Sequence, residues 1–228
     1  MTLERRQRVV RTGYDELSGR FGEWGAKVEG DPWGRFLDDL AERLPLDARV
    51  LDLGSGNGEK ISRLAGRFDV TGVEISERQL RLARAVAPEA SLVQADFTAL
   101  DCPAEAFDAV TALYSIVHVP RDEHPALFSR IRGWLKPGGL FLASLSHVGG
   151  PDRFEEWLGV EMFFSGFDAE TNSRLVREAG FDLLVDEVVW MHEPEGDTAF
   201  LWVLARKPAS GPRTGREPQL EDLPARTT

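Results

Sequence analysis

The sequence predicts an α/β fold, a doubly wound sheet of seven strands, most of them parallel. Three observations carry this. Five short apolar runs alternate with segments of helical periodicity, and near-continuously apolar strands belong to a parallel sheet covered by helices on both faces. The first run passes directly into a glycine-rich loop, Gly54-Ser55-Gly56-Asn57-Gly58. The last two strand-like runs are joined by only five residues, EPEGD, a hairpin length that makes them antiparallel to each other.

The elements follow in order. Residues 3–24 predict one amphipathic helix, with Val10, Tyr14, Leu17, Phe21 and Trp24 on a single stripe. A second helix is capped by Asp31, with Pro32 in its first turn, and is stopped by Pro45; Phe36, Leu37, Leu40 and Leu44 mark its apolar face. The strands then read RVLDL, DVTGVEIS, ASLVQADF, FDAVTALYSI and GGLFLASLS. Between the second and third, Ser76 and Gln79 form a capping box and Pro88 closes the helix. After the fourth, Leu127, Phe128, Ile131, Trp134 and Leu135 share one helix face, and Lys136-Pro137-Gly138-Gly139 ends it. A helix over 168–179 is capped by Asp168 and closed by Gly180, and the antiparallel pair over 181–207 completes the sheet. Residues 208–228 hold four prolines and few large apolar side chains, which predicts a disordered tail. The organisation is therefore N-terminal helices over 1–45, the α/β domain over 46–207, and the tail.

Charge and composition narrow the function. Among 228 residues, acids outnumber bases 38 to 27, a net charge of −11, so polyanions are repelled on average. Neither a nucleic acid nor a membrane is an expected partner. Cys102 is the single cysteine, which excludes an intrachain disulfide. No apolar run reaches the roughly 18 residues of a membrane span, and the start has no apolar leader core. A cytoplasmic location is the expectation. No histidine pair stands at i, i+4, so no metal is expected.

Ligands of doubly wound sheets sit at the carboxyl ends of the strands, at the switch point. Asp52, Glu74 and Asp96 fall there, each 22 residues from the next. A dinucleotide loop reads G-x-G-x-x-G, but its third glycine position is Glu59, whose carboxylate would repel a pyrophosphate. The pattern here is G-x-G-x-G. On these residues the chain resembles the class I S-adenosylmethionine-dependent methyltransferases, a Rossmann-like fold. VLDLGSGNG, VTGVEIS, VQADF, FDAVTALYSIVHVP and LKPGGLFLAS are similar to the family's five motifs, in order and at its spacing, and the resemblance extends over about residues 10–207. More narrowly, the chain resembles bacterial members that methylate small molecules.

The resemblance implies a cofactor, S-adenosyl-L-methionine, and a site. It places Gly54, Ser55, Gly56 and Gly58 against the methionine part, and Glu74 on both ribose hydroxyls, where two carboxylate oxygens suit a vicinal diol. It places Ile75 on the adenine, Asp96 on its amino group, and Phe97 beside the ring. Asp52 would lie near the sulfonium or amino end, Leu113 and Tyr114 under the methyl, and Tyr14, from a helix covering the site, near the cofactor carboxylate. Phe21 stands where many relatives carry a second tyrosine.

Methyl transfer is an in-line displacement that needs alignment, exclusion of water and sometimes a base. His118, four residues after Tyr114, and His147, just past the fifth strand, are the candidate bases; His124 and His192 read as surface. Residues 147–167 are the expected acceptor cap, with Trp157, Met162, Phe163, Phe164 and Phe167 as an apolar wall. Gly166, where a larger residue is expected, would enlarge that pocket. The stretch Ala112-Leu113-Tyr114-Ser115 lacks the D/N-P-P-Y/F pattern of enzymes that methylate base amines. The reading is methyl transfer to an O or N atom of a small aromatic or apolar metabolite of specialised metabolism, by a monomer or homodimer. The alternatives are a peptide or protein side chain as acceptor, a non-catalytic cofactor-binding protein, or a nicotinamide-dependent dehydrogenase.

Overall fold

The computed structural model describes residues 3–209. The predicted tail lies outside them from residue 210 onward. Seven strands form the main sheet: β1 (Arg49–Leu53), β2 (Asp69–Glu74), β3 (Ser91–Gln94), β4 (Phe107–Ala112), β5 (Leu135–Ser146), β8 (Asp182–Glu193) and β9 (Gly196–Arg206). Their order is β3-β2-β1-β4-β5-β9-β8. The first five are parallel; β9 runs antiparallel to both β5 and β8. The chain reverses its direction of travel across the sheet between β1 and β4. The loops after those two strands therefore diverge and leave a crevice.

Helices cover both faces. On one face α3 (Trp33–Arg43) and α4 (Glu59–Ala65) bury Phe36, Leu40, Ile61 and Leu64 against Val50, Leu142 and Trp202. The Phe36 and Trp202 rings stack at 4.4 Å. On the other, α6 (His124–Trp134) and α7 (Ala169–Glu178) bury Phe128, Ile131 and Val176 against Val110, Phe141 and Val203. α5 (Glu77–Val86) starts as its sequence predicts, with the Ser76 hydroxyl accepting from the Gln79 N–H at 3.1 Å. The reciprocal half of the capping box is absent, because the buried Gln79 amide has no partner among the described residues.

Two expectations are corrected. The first helix is two: α1 (Leu3–Leu17) ends in a turn, Arg20 N–H to Leu17 C=O at 2.9 Å, and α2 (Phe21–Gly25) follows. Ser18 and Gly19 interrupt the periodic stripe with a turn-forming pair. Second, β5 begins at Leu135, so Lys136-Pro137-Gly138-Gly139 opens the strand rather than merely closing the helix. The expected acceptor cap, residues 147–167, folds as a separate hairpin of β6 (Gly150–Trp157) and β7 (Val160–Gly166), turning at Leu158-Gly159. This hairpin supports α1: Val10 and Leu17 pack with Val160, Met162 and Phe163.

Candidate active site

The glycine loop is shaped by close backbone approaches. Gly54 has φ +86°, and a Cβ there would stand 2.5 Å from the Ser115 Cβ, so only glycine fits. The Gly54 and Ser55 N–H groups both donate to the Val73 carbonyl, at 2.8 and 3.0 Å, which ties the loop to β2. Glu74, buried at the end of β2, accepts from the Gly56 N–H at 2.9 Å through Oε2 and from the Ser76 N–H at 2.8 Å through Oε1. Burial pushes its carboxyl above the usual range. Each oxygen keeps a lone pair for a further donor.

At the end of β3, Asp96 is held on both oxygens. Oδ1 accepts from the Thr98 N–H and hydroxyl, each at 2.8 Å; Oδ2 lies 2.5 Å from the buried Arg6 guanidinium of α1. Arg6 also donates to the His118 carbonyl. Nothing in the sequence patterning of α1 marked this arginine, since it is one of four arginines in the first eleven residues.

These groups line one cavity of about 590 Å³. Gly54, Ser55, Gly56, Glu74, Ile75, Asp96, Phe97, Leu113, Tyr114 and Tyr14 all border it. Asp52 and Gly58 do not. Asp52 points into the sheet, buried, and accepts from the Thr111 hydroxyl of β4; burial lifts its pKa to about 6. It supports the floor rather than facing a ligand. Gly58 is packed on Ala83 of α5.

The histidines separate clearly. His118 is buried, its Nδ1 2.7 Å from the Phe163 carbonyl and its Nε2 2.8 Å from the Tyr14 hydroxyl. Burial lowers its pKa to about 4. His147 borders the cavity with its ring 5.4 Å from that of Trp190. His124 is not at the surface: it is buried, and its Nε2 meets the Val119 carbonyl at 3.0 Å. His192 is exposed beside Asp197, as expected.

The acceptor wall is also redrawn. Trp157 and Phe164 border the cavity, while Met162, Phe163 and Phe167 do not. Met162 and Phe163 are fully buried under α1, and Phe167 packs edge-on to His124. Gly166 opens no space, because a Cβ there would meet the Ser146 Cβ at 2.5 Å. Other elements supply the wall instead. Trp24 of α2 stacks on Phe21 at 5.8 Å and meets Trp157 at 5.5 Å. Asp31 accepts from the Tyr114 hydroxyl at 2.5 Å. Met191, Glu193 and Phe200 of the β8–β9 hairpin line the far end. Glu29 pairs its backbone with His192 and holds the segment before α3 against that hairpin. Burial, with Glu195 and Asp31 nearby, lifts Glu193 to about 7.

The donor set fits the cofactor that the motifs imply. Glu74 offers free carboxylate lone pairs, Ile75, Phe97 and Leu113 offer apolar surface, and Gly56 has open space where a side chain would stand. Residues 50–139 match a family described as a methyltransferase domain. Over those residues the chain is similar to the class I S-adenosylmethionine-dependent methyltransferases. It is similar to 27-O-demethylrifamycin SV methyltransferase of Amycolatopsis mediterranei, 35% identical over 149 residues, 56% of this chain and 54% of that one. It is similar to indolepyruvate C-methyltransferase of Streptomyces griseus, 27% identical over 228 residues, 89% of this chain and 67% of that one. The chain thus spans about half of the first relative's length. Its fold is shared with 1,6-didemethyltoxoflavin-N1-methyltransferase of Burkholderia thailandensis, solved with S-adenosylhomocysteine, at TM-score 0.70 and 22% identity over 91% of each chain. Among the described residues, no helix is long and apolar enough to cross a membrane, and no cluster of three His, Cys, Asp or Glu side chains is arranged to hold a metal ion.

Proposed function

We propose that this methyltransferase moves a methyl group to an O or N atom of a small acceptor with an aromatic or apolar face. The observation that carries the reading is the single cavity. It joins the Gly54–Glu74–Asp96 end to an end walled by Trp24, Trp33, Trp157, Tyr114 and Phe200. When bound, the cofactor supplies an activated methyl on a positively charged sulfur. The chain's residues do the rest. Glu74 and Asp96 fix the nucleoside end. Leu113 and Tyr114, at the end of β4, set the floor on which the acceptor lies. α1, α2 and the β6–β7 hairpin roof the cavity and exclude water, which strengthens every polar contact inside.

A hydroxyl or ammonium acceptor must lose a proton. His118 is a poor recipient, since its pKa is about 4 and Nε2 is taken by Tyr14. Glu193 suits the task better: it borders the acceptor end and titrates near pH 7. Oxygen and nitrogen acceptors ask no more of a base than this. Two of the similar proteins, a demethylrifamycin methyltransferase and an indolepyruvate methyltransferase, act on small acceptors and support the same class here. The roofed cavity disfavours a peptide, which needs an open groove. We propose a cytoplasmic setting on the same grounds as the sequence, acidic charge and a single cysteine.

The test is an acceptor screen with S-adenosylmethionine, following release of S-adenosylhomocysteine. Turnover with small aromatic alcohols or amines is expected. Turnover confined to peptide or RNA would overturn the acceptor class.

A further inference from the structure

The hydrogen bond between Tyr14 and His118 has a direction, and that direction decides what Tyr14 can bind. His118 Nδ1 lies 2.7 Å from the Phe163 carbonyl oxygen, which only accepts, so Nδ1 carries a proton. Burial, with the Arg6 charge adding to it, keeps the ring neutral at neutral pH. Nε2 is then bare. The 2.8 Å contact with Tyr14 must run from the tyrosine hydroxyl to Nε2. A phenol has one proton, and this one is directed at His118.

The Tyr14 oxygen therefore offers the cavity lone pairs only. Burial and the Glu74 charge keep the phenol from ionising, so it remains a neutral acceptor. Phe21, Trp157 and His118 surround the ring edge-on, at 5.6, 6.3 and 5.4 Å. An anion placed against this oxygen would meet lone pairs; a cation or an N–H would meet an acceptor. The carboxylate contact that the family resemblance implies for Tyr14 is incompatible with this polarity.

We propose that Tyr14, oriented by His118, binds the positive part of the cofactor and not its carboxylate, and so makes the site prefer charged ligands to uncharged ones. His118 is here a positioning residue. The proposal rests on the cofactor reading above. Two groups on the cofactor carry positive charge, the sulfonium and the α-ammonium, and both present the same chemistry to Tyr14.

Calorimetric binding separates them. The probes are S-adenosylmethionine, with both charges; S-adenosylhomocysteine, with the ammonium alone; and 5′-methylthioadenosine, with neither. Tyr14→Phe is expected to weaken S-adenosylmethionine by about tenfold to a hundredfold, the range for a hydrogen bond to a charged group, and to leave methylthioadenosine within about twofold. Loss on S-adenosylmethionine alone assigns the sulfonium; equal loss on it, on S-adenosylhomocysteine and on decarboxylated S-adenosylmethionine, which keeps both positive charges and lacks the carboxylate, assigns the ammonium, while loss on the first two with none on the decarboxylated compound assigns the carboxylate and overturns the proposal. Equal loss on all three probes, or on none, overturns the proposal. His118→Phe keeps the packing but releases the tyrosine proton, and it is expected to weaken S-adenosylmethionine in the same direction. Unchanged affinity there overturns the role of His118. If the wild-type chain binds none of the three, the cofactor reading itself fails and takes this inference with it.

Discussion

Arg6, in the first helix, places its guanidinium 2.5 Å from Asp96 Oδ2 at the end of β3, with both side chains almost wholly buried. The pair fastens the roof of the cavity to the residue proposed to read the adenine. Asp15 makes a second fastening, accepting from the Ser76 hydroxyl at 2.6 Å. The N-terminal helix is thus tied to the carboxyl edge of the sheet at β2 and β3, the two strands proposed to carry the nucleoside contacts.

Breaking a buried pair on one side leaves an uncompensated charge. Arg6→Met is expected to cost about 3 kcal/mol. That lowers the thermal midpoint by roughly 6 to 12 °C for a chain of this size. A midpoint within about 2 °C of the wild type would show that the pair is not a fastening.

His118 gives a pH dependence with a definite sign. Its pKa in the fold is about 4, below the ordinary 6.5, because burial penalises the charged ring. The neutral ring is favoured by folding. The stability it contributes is complete above pH 6.5 and is lost as pH falls through 4, about 3 kcal/mol in all. Between pH 7 and 4 the midpoint of the wild type should fall further than that of His118→Phe. Parallel falls would contradict the burial of a neutral ring.

Gly166 tests the wall of the acceptor end. Its missing Cβ is replaced in space by the Ser146 Cβ, 2.5 Å away, and both positions are fixed by strands. Gly166→Ala should destabilise by about 1 to 3 kcal/mol. Adding Ser146→Gly should recover part of the loss. Denaturant unfolding of the two variants checks this, and an undisturbed Gly166→Ala would mean that the hairpin moves freely.

The order of strands was legible because each parallel strand announces itself locally, as an apolar run closed by a turn or a cap. Glu74, the glycine loop and the Ser76 cap were readable for the same reason: residues near in sequence make those contacts. What was hidden depends on contacts between distant segments. Met162 and Phe163 looked like a ligand wall, but α1 lies on this strand and covers them. Asp52 looked like a ligand contact, but Thr111, 59 residues away, turns it into the sheet. Asp31 read only as a helix cap and Glu193 carried no motif; the Glu29–His192 bridge brings their segments together. The split of the first helix at Ser18-Gly19 was the one local signal passed over.

Thermal unfolding with S-adenosylhomocysteine, with NAD as control, tests the central claim most directly. At about 100 times the dissociation constant, binding adds roughly 2.7 kcal/mol and raises the midpoint by roughly 5 to 10 °C. Glu74→Ala removes the carboxylate that holds the Gly56 and Ser76 N–H groups and that is proposed to hold the nucleoside. The account predicts a shift with S-adenosylhomocysteine, none with NAD, and loss of the shift in Glu74→Ala. No shift in the wild type, or a shift with NAD alone, would contradict it.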